Sequence, residues 1–372
     1  MDKRNSNIEV MRILMVLITA HHLAIWGFFK NSSVTSISPN IVWLQLLESV
    51  GKIGVDIFIL ITGYFYLNSI PTLKKVLNLT NRVRLYSLIM FITVLMVGTT
   101  TKFSIGLFIK SLFPTIWSMY WFITAYVIIY IFSGFLSKGF QKMTQEQANK
   151  LILISVILFM FLPTFLNSWT STVTELLPAF FLGIYLRNFK LSQGYIRILN
   201  ILTLVSIIIG LGIIFIGDSI GSILSNAKLI ELAARPFYIG SSPLAMIIAT
   251  YIFIRVLSVE KQTNNFVNRV SSSALAIYLI QDYAPFRNIL WNDIFKISKL
   301  VFDMNFLFLV VYSLVAVVAI VVLAIIIDQI LTYVFNVPLQ LLLKLELWII
   351  NKFGQLIKIQ KWNRKNEQAQ NP

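Results

Sequence analysis

Only two histidines occur in the 372 residues, His21 and His22, and they stand side by side in an apolar run that also carries Arg12. Ionisable side chains are expensive inside a membrane helix and usually face a polar cavity or a partner. Arg12 lies about one turn inside the run. His22 follows ten residues later, roughly 15 Å along a helix axis at 1.5 Å per residue. An imidazole at that depth can take up a proton near neutral pH. A pair of interfacial histidines hydrogen-bonded to neighbours fits the spacing equally well. Asp56, early in a second apolar run, stands at a similar depth. Its plain alternative is a structural carboxylate satisfied by a neighbour such as Lys52, one turn away. Gly54 and Gly63, which bracket Asp56, read as close-packing positions rather than ligand sites.

Two further groups of residues carry chemical potential. Lys74, Lys75, Arg82 and Arg84 fall within twelve positions and suit a phosphate-rich ligand, although basic residues at such a place are also what membrane topology demands. Trp117, Tyr120, Trp121 and Tyr126 form one aromatic group, and Tyr278, Tyr283 and Trp291 form another. These are compatible with interfacial belts and equally with flat apolar faces for a sugar. The chain has no cysteine, which excludes disulfides, thiolate catalysis and cysteine-ligated metals. No histidine and carboxylate set has metal-ligand spacing, so no metal is expected.

The elements that must position these residues are membrane helices. Apolar residues make up 57% of the chain and charged residues 12%, with a mean hydropathy of +0.80, far outside the range of a soluble domain. Apolar runs long enough to cross about 30 Å of hydrocarbon recur along the whole length. Helices are predicted over 8–29, 49–68, 83–99, 116–136, 150–167, 175–187, 198–217, 240–257, 270–284 and 303–327, an all-α polytopic membrane protein with about ten spans. The first run has no small-residue cleavage site after it and reads as a retained helix rather than a signal peptide.

The net charge of +16 is mainly an orientation signal, and no nucleic-acid partner is expected from it. With the N-terminus in the cytoplasm, 21 basic residues fall in inner segments and nine in outer ones, and every inner segment is basic. Both termini are then inside. The transmembrane domain is assigned to 1–335. Residues 336–372 read as a cytoplasmic amphipathic helix in the headgroup layer, followed by a disordered basic tail from Asn363.

Several ordered segments resemble bacterial acyltransferase family 3 membrane proteins. Asn7-Ile-Glu-Val-Met-Arg12-Ile followed by His21-His22 is similar to the family's opening. Gly54-Val-Asp-Ile-Phe-Ile-Leu-Ile-Thr-Gly-Tyr-Phe65 looks like its glycine-aspartate-phenylalanine-serine-glycine segment, with Thr62 for the usual serine. Tyr120-Trp-Phe-Ile-Thr-Ala-Tyr126, Phe181-Leu-Gly-Ile-Tyr-Leu-Arg187 and Ser271-Ser-Ser-Ala-Leu-Ala-Ile-Tyr-Leu-Ile280 match later signatures in family order.

The resemblance implies transfer of an acyl group, usually acetyl, from cytoplasmic acyl-CoA to a hydroxyl of a cell-surface glycan, in the plasma membrane of a bacterium. It implies Arg12 and His22 as the functional pair, with His22 acting as general base or transient acyl carrier. Asp56 would orient His22 or pair with it. Lys75, Arg82 and Arg84 would meet the CoA phosphates, and Trp121, Tyr126 and Trp291 the acceptor, with membrane lipid as the surrounding partner. Two features depart from the family pattern. The family sets its histidine about eleven positions after the arginine, whereas ten places His22 about −80° around a helix from Arg12, so a bulge or kink is required. Gln281 stands where many relatives have a histidine, and glutamine hydrogen-bonds without shuttling a proton. A transporter or lipid-linked glycan flippase, a membrane glycan polymerase and a non-catalytic family member are the rival readings. No internal repeat of the transporter kind is visible, and the longest loops, around 218–239 and 285–302, are modest for a polymerase.

Overall fold

The computed structural model describes residues 5–66, 71–97, 103–163, 171–234 and 242–370, with side chains only through Phe353 in the last helix. Lys3, Arg4, Lys102, Arg235 and the side chains of the expected tail lie outside the described residues. So do the far ends of the segments expected at 49–68, 83–99 and 150–167 and the start of that at 240–257.

The described chain is all-helical, without a strand. In order, the α-helices are α1 (Ser6–Ile13), α2 (Val16–Ala24), α3 (Pro39–Ser49), α4 (Gly51–Tyr66), α5 (Leu73–Val97) and α6 (Ile105–Leu112). They continue with α7 (Trp121–Gln141), α8 (Gln145–Val156), α9 (Thr172–Asn188), α10 (Gln193–Ile223), α11 (Ala227–Leu232) and α12 (Pro243–Ser258). The chain ends with α13 (Asn265–Ser272), α14 (Ala274–Gln281), α15 (Ala284–Asn288), α16 (Ile297–Asp303) and α17 (Phe306–Gln370). Three π-helical turns, Ile25–Phe29, Ile157–Phe161 and Ile289–Ile294, widen the helices they follow.

Every one of the ten expected segments holds a helix. By length and composition, five described helices can cross a membrane: Ser6–Phe29, Leu73–Val97, Trp121–Gln141, Gln193–Ile223 and Phe306–Phe353. Much of the surface of α10 and α17 is exposed Ile, Leu, Val and Phe, as a lipid-facing surface requires. These features fit a membrane protein.

The boundaries differ from expectation in three informative places. The basic stretch expected as a loop forms the first three turns of α5, so Lys75, Arg82 and Arg84 stand on a rigid helix. Short helices α3, α6, α11, α15 and α16 occupy stretches expected to be connections. The segment from 336 onward is not a separate helix. It continues α17 without a break through Pro338, and the backbone is helical to Gln370, where a disordered tail was expected.

Close helix contacts depend on glycine. A Cβ on Gly63 of α4 would lie 2.2 Å from the Phe180 carbonyl oxygen of α9, and one on Gly183 of α9 would lie 2.4 Å from the Leu60 carbonyl oxygen of α4. The two helices therefore touch backbone to backbone, which only paired small residues permit. Gly54 of α4 similarly meets the Leu14 carbonyl oxygen, 2.9 Å from where a Cβ would stand. The close-packing role expected for Gly54 and Gly63 is what these contacts display.

Candidate functional site

The site is organised by the first helix, and its decisive local feature is a change of winding between Arg12 and His22. Leu14, Met15, Leu17 and Ile18 donate their amides three residues back, to Met11, Arg12, Leu14 and Met15, at 2.9–3.2 Å. Such turns advance about 120° per residue instead of 100°, so four of them add roughly 80°. That cancels the offset expected from the ten-residue spacing and brings Arg12 and His22 toward one side. Neither proline nor glycine lies in the stretch, but α4 approaches it closely at Gly54.

The partner of this face is the run α13–α14, which lies beside the first helix in the same direction. Ser271 Oγ donates to Glu9 Oε2 at 2.5 Å, Gln281 Nε2 donates to Thr19 Oγ1 at 2.8 Å, and His22 Nε2 lies 3.6 Å from Asp282 Oδ1. Gln281 therefore acts as a buried fastener to the first helix. The family-like position that lacks a histidine is occupied by a glutamine whose Nε2 is given to Thr19 and whose Oε1 is left without a hydrogen-bond partner among the described residues.

At the far end of this pair of helices, His22 and Asp282 are both buried. Asp282 Oδ1 also accepts from Arg287 Nη2 at 2.5 Å, and the Arg287 guanidinium lies over the Trp26 ring at 4.3 Å. His22 Nδ1 is buried without a hydrogen-bond partner among the described residues. Nε2 is turned to the Asp282 carboxylate and Nδ1 away from it. Tyr120, Tyr278 and Tyr283 form a buried aromatic group alongside, with ring centroids 6.1 and 6.4 Å from Tyr120 to the other two. His21 is separate, its Nδ1 lying 2.6 Å from the Glu48 carbonyl oxygen, which distinguishes the two histidines.

At the near end, a cavity of about 500 Å³ is lined by Arg12, Lys75, Arg82, Ser271 and Ser272 on its polar side and by Phe58, Ile61 and Leu275 on its apolar side. A second, mostly apolar cavity of about 190 Å³ shares Phe58, Lys75, Tyr126 and Leu275 with the first. Three cations, Arg12, Lys75 and Arg82, and four hydroxyls, of Thr62, Tyr126, Ser271 and Ser272, around one opening suit phosphate groups. Arg12 is held by Glu9, with Nη1 at 3.0 and 3.1 Å from the two carboxylate oxygens.

The expected site residues divide accordingly. Arg12, Lys75 and Arg82 come together at this cavity, whereas Arg84 does not line it. Arg84 donates to the Leu112 carbonyl at 3.0 Å and pairs with Glu346 at 3.3 Å. Asp56 is not the partner expected for His22, because Asp282 holds that place. Asp56 is fully buried on α4 and neither carboxylate oxygen has a hydrogen-bond partner among the described residues. Nor does Lys52 satisfy it by hydrogen bonding, since the ammonium lies 4.4 Å from the Trp121 ring centroid.

The expected aromatic trio is dispersed. Trp121 faces Lys52, Tyr126 lines both cavities at the Arg12 end, and Trp291 is completely buried in the π-helical turn against Phe295. Asp282 and Arg287, which the sequence reading passed over, carried one usable signal. They are opposite charges five residues apart at the end of an apolar helix in a chain with only 15 acidic residues.

No curated protein and no solved structure matches the chain. A family model described as an acyltransferase domain matches residues 5–327, which spans Arg12, His22, the α5 cations, Asp282 and Arg287. The chain belongs to acyltransferase family 3.

Proposed function

We propose that the protein is a membrane O-acyltransferase of a bacterial plasma membrane. It would move an acyl group, in the simplest case acetyl, from cytoplasmic acyl-CoA to a hydroxyl of a cell-surface or exopolysaccharide glycan. The single observation that carries this reading is the division of one helix between two chemistries about 15 Å apart. Arg12 opens on a cavity with Lys75 and Arg82, and His22 faces Asp282 in a buried polar site. A CoA molecule is elongated, and its phosphates at the first place leave its thioester arm directed toward the second.

The orientation supports the same reading. Both ends of the chain lie in the cytoplasm in this proposal; the apolar runs suggest about ten spans, and the excess of basic residues in the inner segments sets their orientation. The α5 cations then face the compartment that holds acyl-CoA, and His22 lies in the outer half. The stretch beyond 336 leaves the bilayer as a basic, amphipathic extension of α17 on the cytoplasmic surface.

The transfer itself needs one base. His22 Nδ1 accepts the proton of the acceptor hydroxyl, and the Asp282 carboxylate, 3.6 Å from Nε2, stabilises the imidazolium that forms. The acceptor oxygen attacks the thioester carbonyl carbon, a C–O bond forms and the C–S bond breaks. The CoA thiolate leaves and recovers the proton from His22. Arg287, bonded to Asp282, fixes that carboxylate in place.

The test compares O-acyl content of surface glycan in cells carrying the native protein and His22→Ala at equal protein levels. Loss of acylation is expected. Equal acylation would overturn the assignment.

A further inference from the structure

Between Asp303 and Lys344 the chain carries a single charged residue, Asp328, on the most apolar helix of the molecule. It lies one residue beyond the span matched by the family model. A carboxylate there must have a partner, and one that survives in so apolar a helix is a functional-site candidate. Asp328 is 3% exposed. Its Oδ1 pairs with Arg82 Nη2 and accepts the Tyr86 hydroxyl at 2.5 Å. Arg82, with a side chain 31% exposed, lines the cavity that it shares with Arg12 and Lys75.

A guanidinium presents five N–H donors in a fixed plane. One of them is given to Asp328, which fixes the plane in which the others lie. Lys75, by contrast, has no anchor of this kind among the described residues. Arg84, the other arginine of α5, is drawn away from the cavity by Glu346 of α17, which also accepts from Asn81 at 2.6 Å. The last helix therefore sorts the two arginines of α5, aiming Arg82 at the cavity and holding Arg84 outside it.

We infer that Asp328, with Tyr86, is a positioning residue for the donor, holding the Arg82 guanidinium in the orientation that receives a phosphate group of CoA. The inference rests on the donor reading of the Arg12 cavity given above. An arginine already oriented in the empty site loses less conformational freedom when an anion arrives, so the effect belongs to donor affinity rather than to the chemical step.

The experiment uses the full-length protein purified in detergent, with coenzyme A as the probe for calorimetric binding and acyl-CoA for steady-state kinetics. Asp328→Asn is expected to raise both the Kd for coenzyme A and the donor KM about tenfold, with kcat within about twofold of native. Asp328→Glu is expected to recover to within about threefold, which a role confined to helix packing would not produce. If Asp328→Asn does not fold, Tyr86→Phe decides: binding about threefold weaker supports the inference, and unchanged binding overturns it.

Unchanged Kd and KM in folded Asp328→Asn, with Arg82→Ala still weakening coenzyme A, would overturn the positioning role and leave the donor site standing. A loss confined to kcat or to the folded fraction, with binding unchanged, would also overturn it. No binding of coenzyme A to the native protein, or binding indifferent to both Arg12→Ala and Arg82→Ala, would remove the donor reading and this inference with it.

Discussion

His22 Nε2 lies 3.6 Å from Asp282 Oδ1, and the same carboxylate oxygen accepts from Arg287 at 2.5 Å. The two residues are 260 positions apart and meet because the first helix and α14 run side by side in one direction. In the proposed mechanism a carboxylate beside one imidazole nitrogen leaves the other for the reacting proton, and Asp282 takes the place expected for Asp56.

Asp282→Asn should keep the shape of the site and remove the charge that stabilises the imidazolium. We expect kcat to fall by about 10²–10⁴-fold, with the Kd for coenzyme A unchanged. Single-turnover acyl transfer beside coenzyme A titration separates the two quantities. A loss appearing only in donor binding would place Asp282 outside the chemistry.

The two arginines of α5 should differ. Arg82→Ala removes a cation from the cavity and is expected to weaken coenzyme A binding by roughly 10- to 100-fold, the range of a lost charge-assisted hydrogen bond. Arg84→Ala should leave that affinity within about twofold, because Arg84 is turned to Glu346 and Leu112. Equal effects would mean that both reach the donor.

Gln281→Leu should act on stability. It strips the buried Thr19 hydroxyl of its 2.8 Å donor, which is expected to cost about 1–3 kcal/mol. A lower melting temperature with acyl transfer retained to within about threefold in the folded fraction would establish Gln281 as a fastener. A collapse of turnover at unchanged stability would instead give it a part in proton handling.

Gly63→Ala and Gly183→Ala probe the backbone contact of α4 with α9. Each new methyl would stand 2.2–2.4 Å from a carbonyl oxygen of the facing helix, and each is expected to destabilise by about 1–3 kcal/mol. Because both substitutions force the same separation, the double variant should lose less than the sum. Thermal unfolding of the purified variants measures this, and additive losses would show that the contacts are independent.

Several features were legible without coordinates. Repeated apolar runs announce helices, since a backbone surrounded by hydrocarbon must satisfy its own hydrogen bonds. Arg12 and His22 stood out because charges within such runs are costly. Their ten-residue spacing required a local change of winding, and the first helix has one. Ordered short motifs carried the family. The start of α5 was misjudged because Lys74, Lys75, Arg82 and Arg84 break the apolar pattern by which a helix is recognised, although lysine and arginine favour helix.

The sequence by itself determined the helices, their apolar faces and the chemical types available for a site. Only the tertiary structure decided which charges meet. Periodicity describes one helix at a time, whereas His22 with Asp282, and Arg82 with Asp328, are contacts between helices 260 and 246 residues apart. Their partners were fixed by glycine-lined approaches such as Gly54 against Leu14, by the overwound turn after Arg12, and by the need of Asp282 and Asp328 for a cation or a donor.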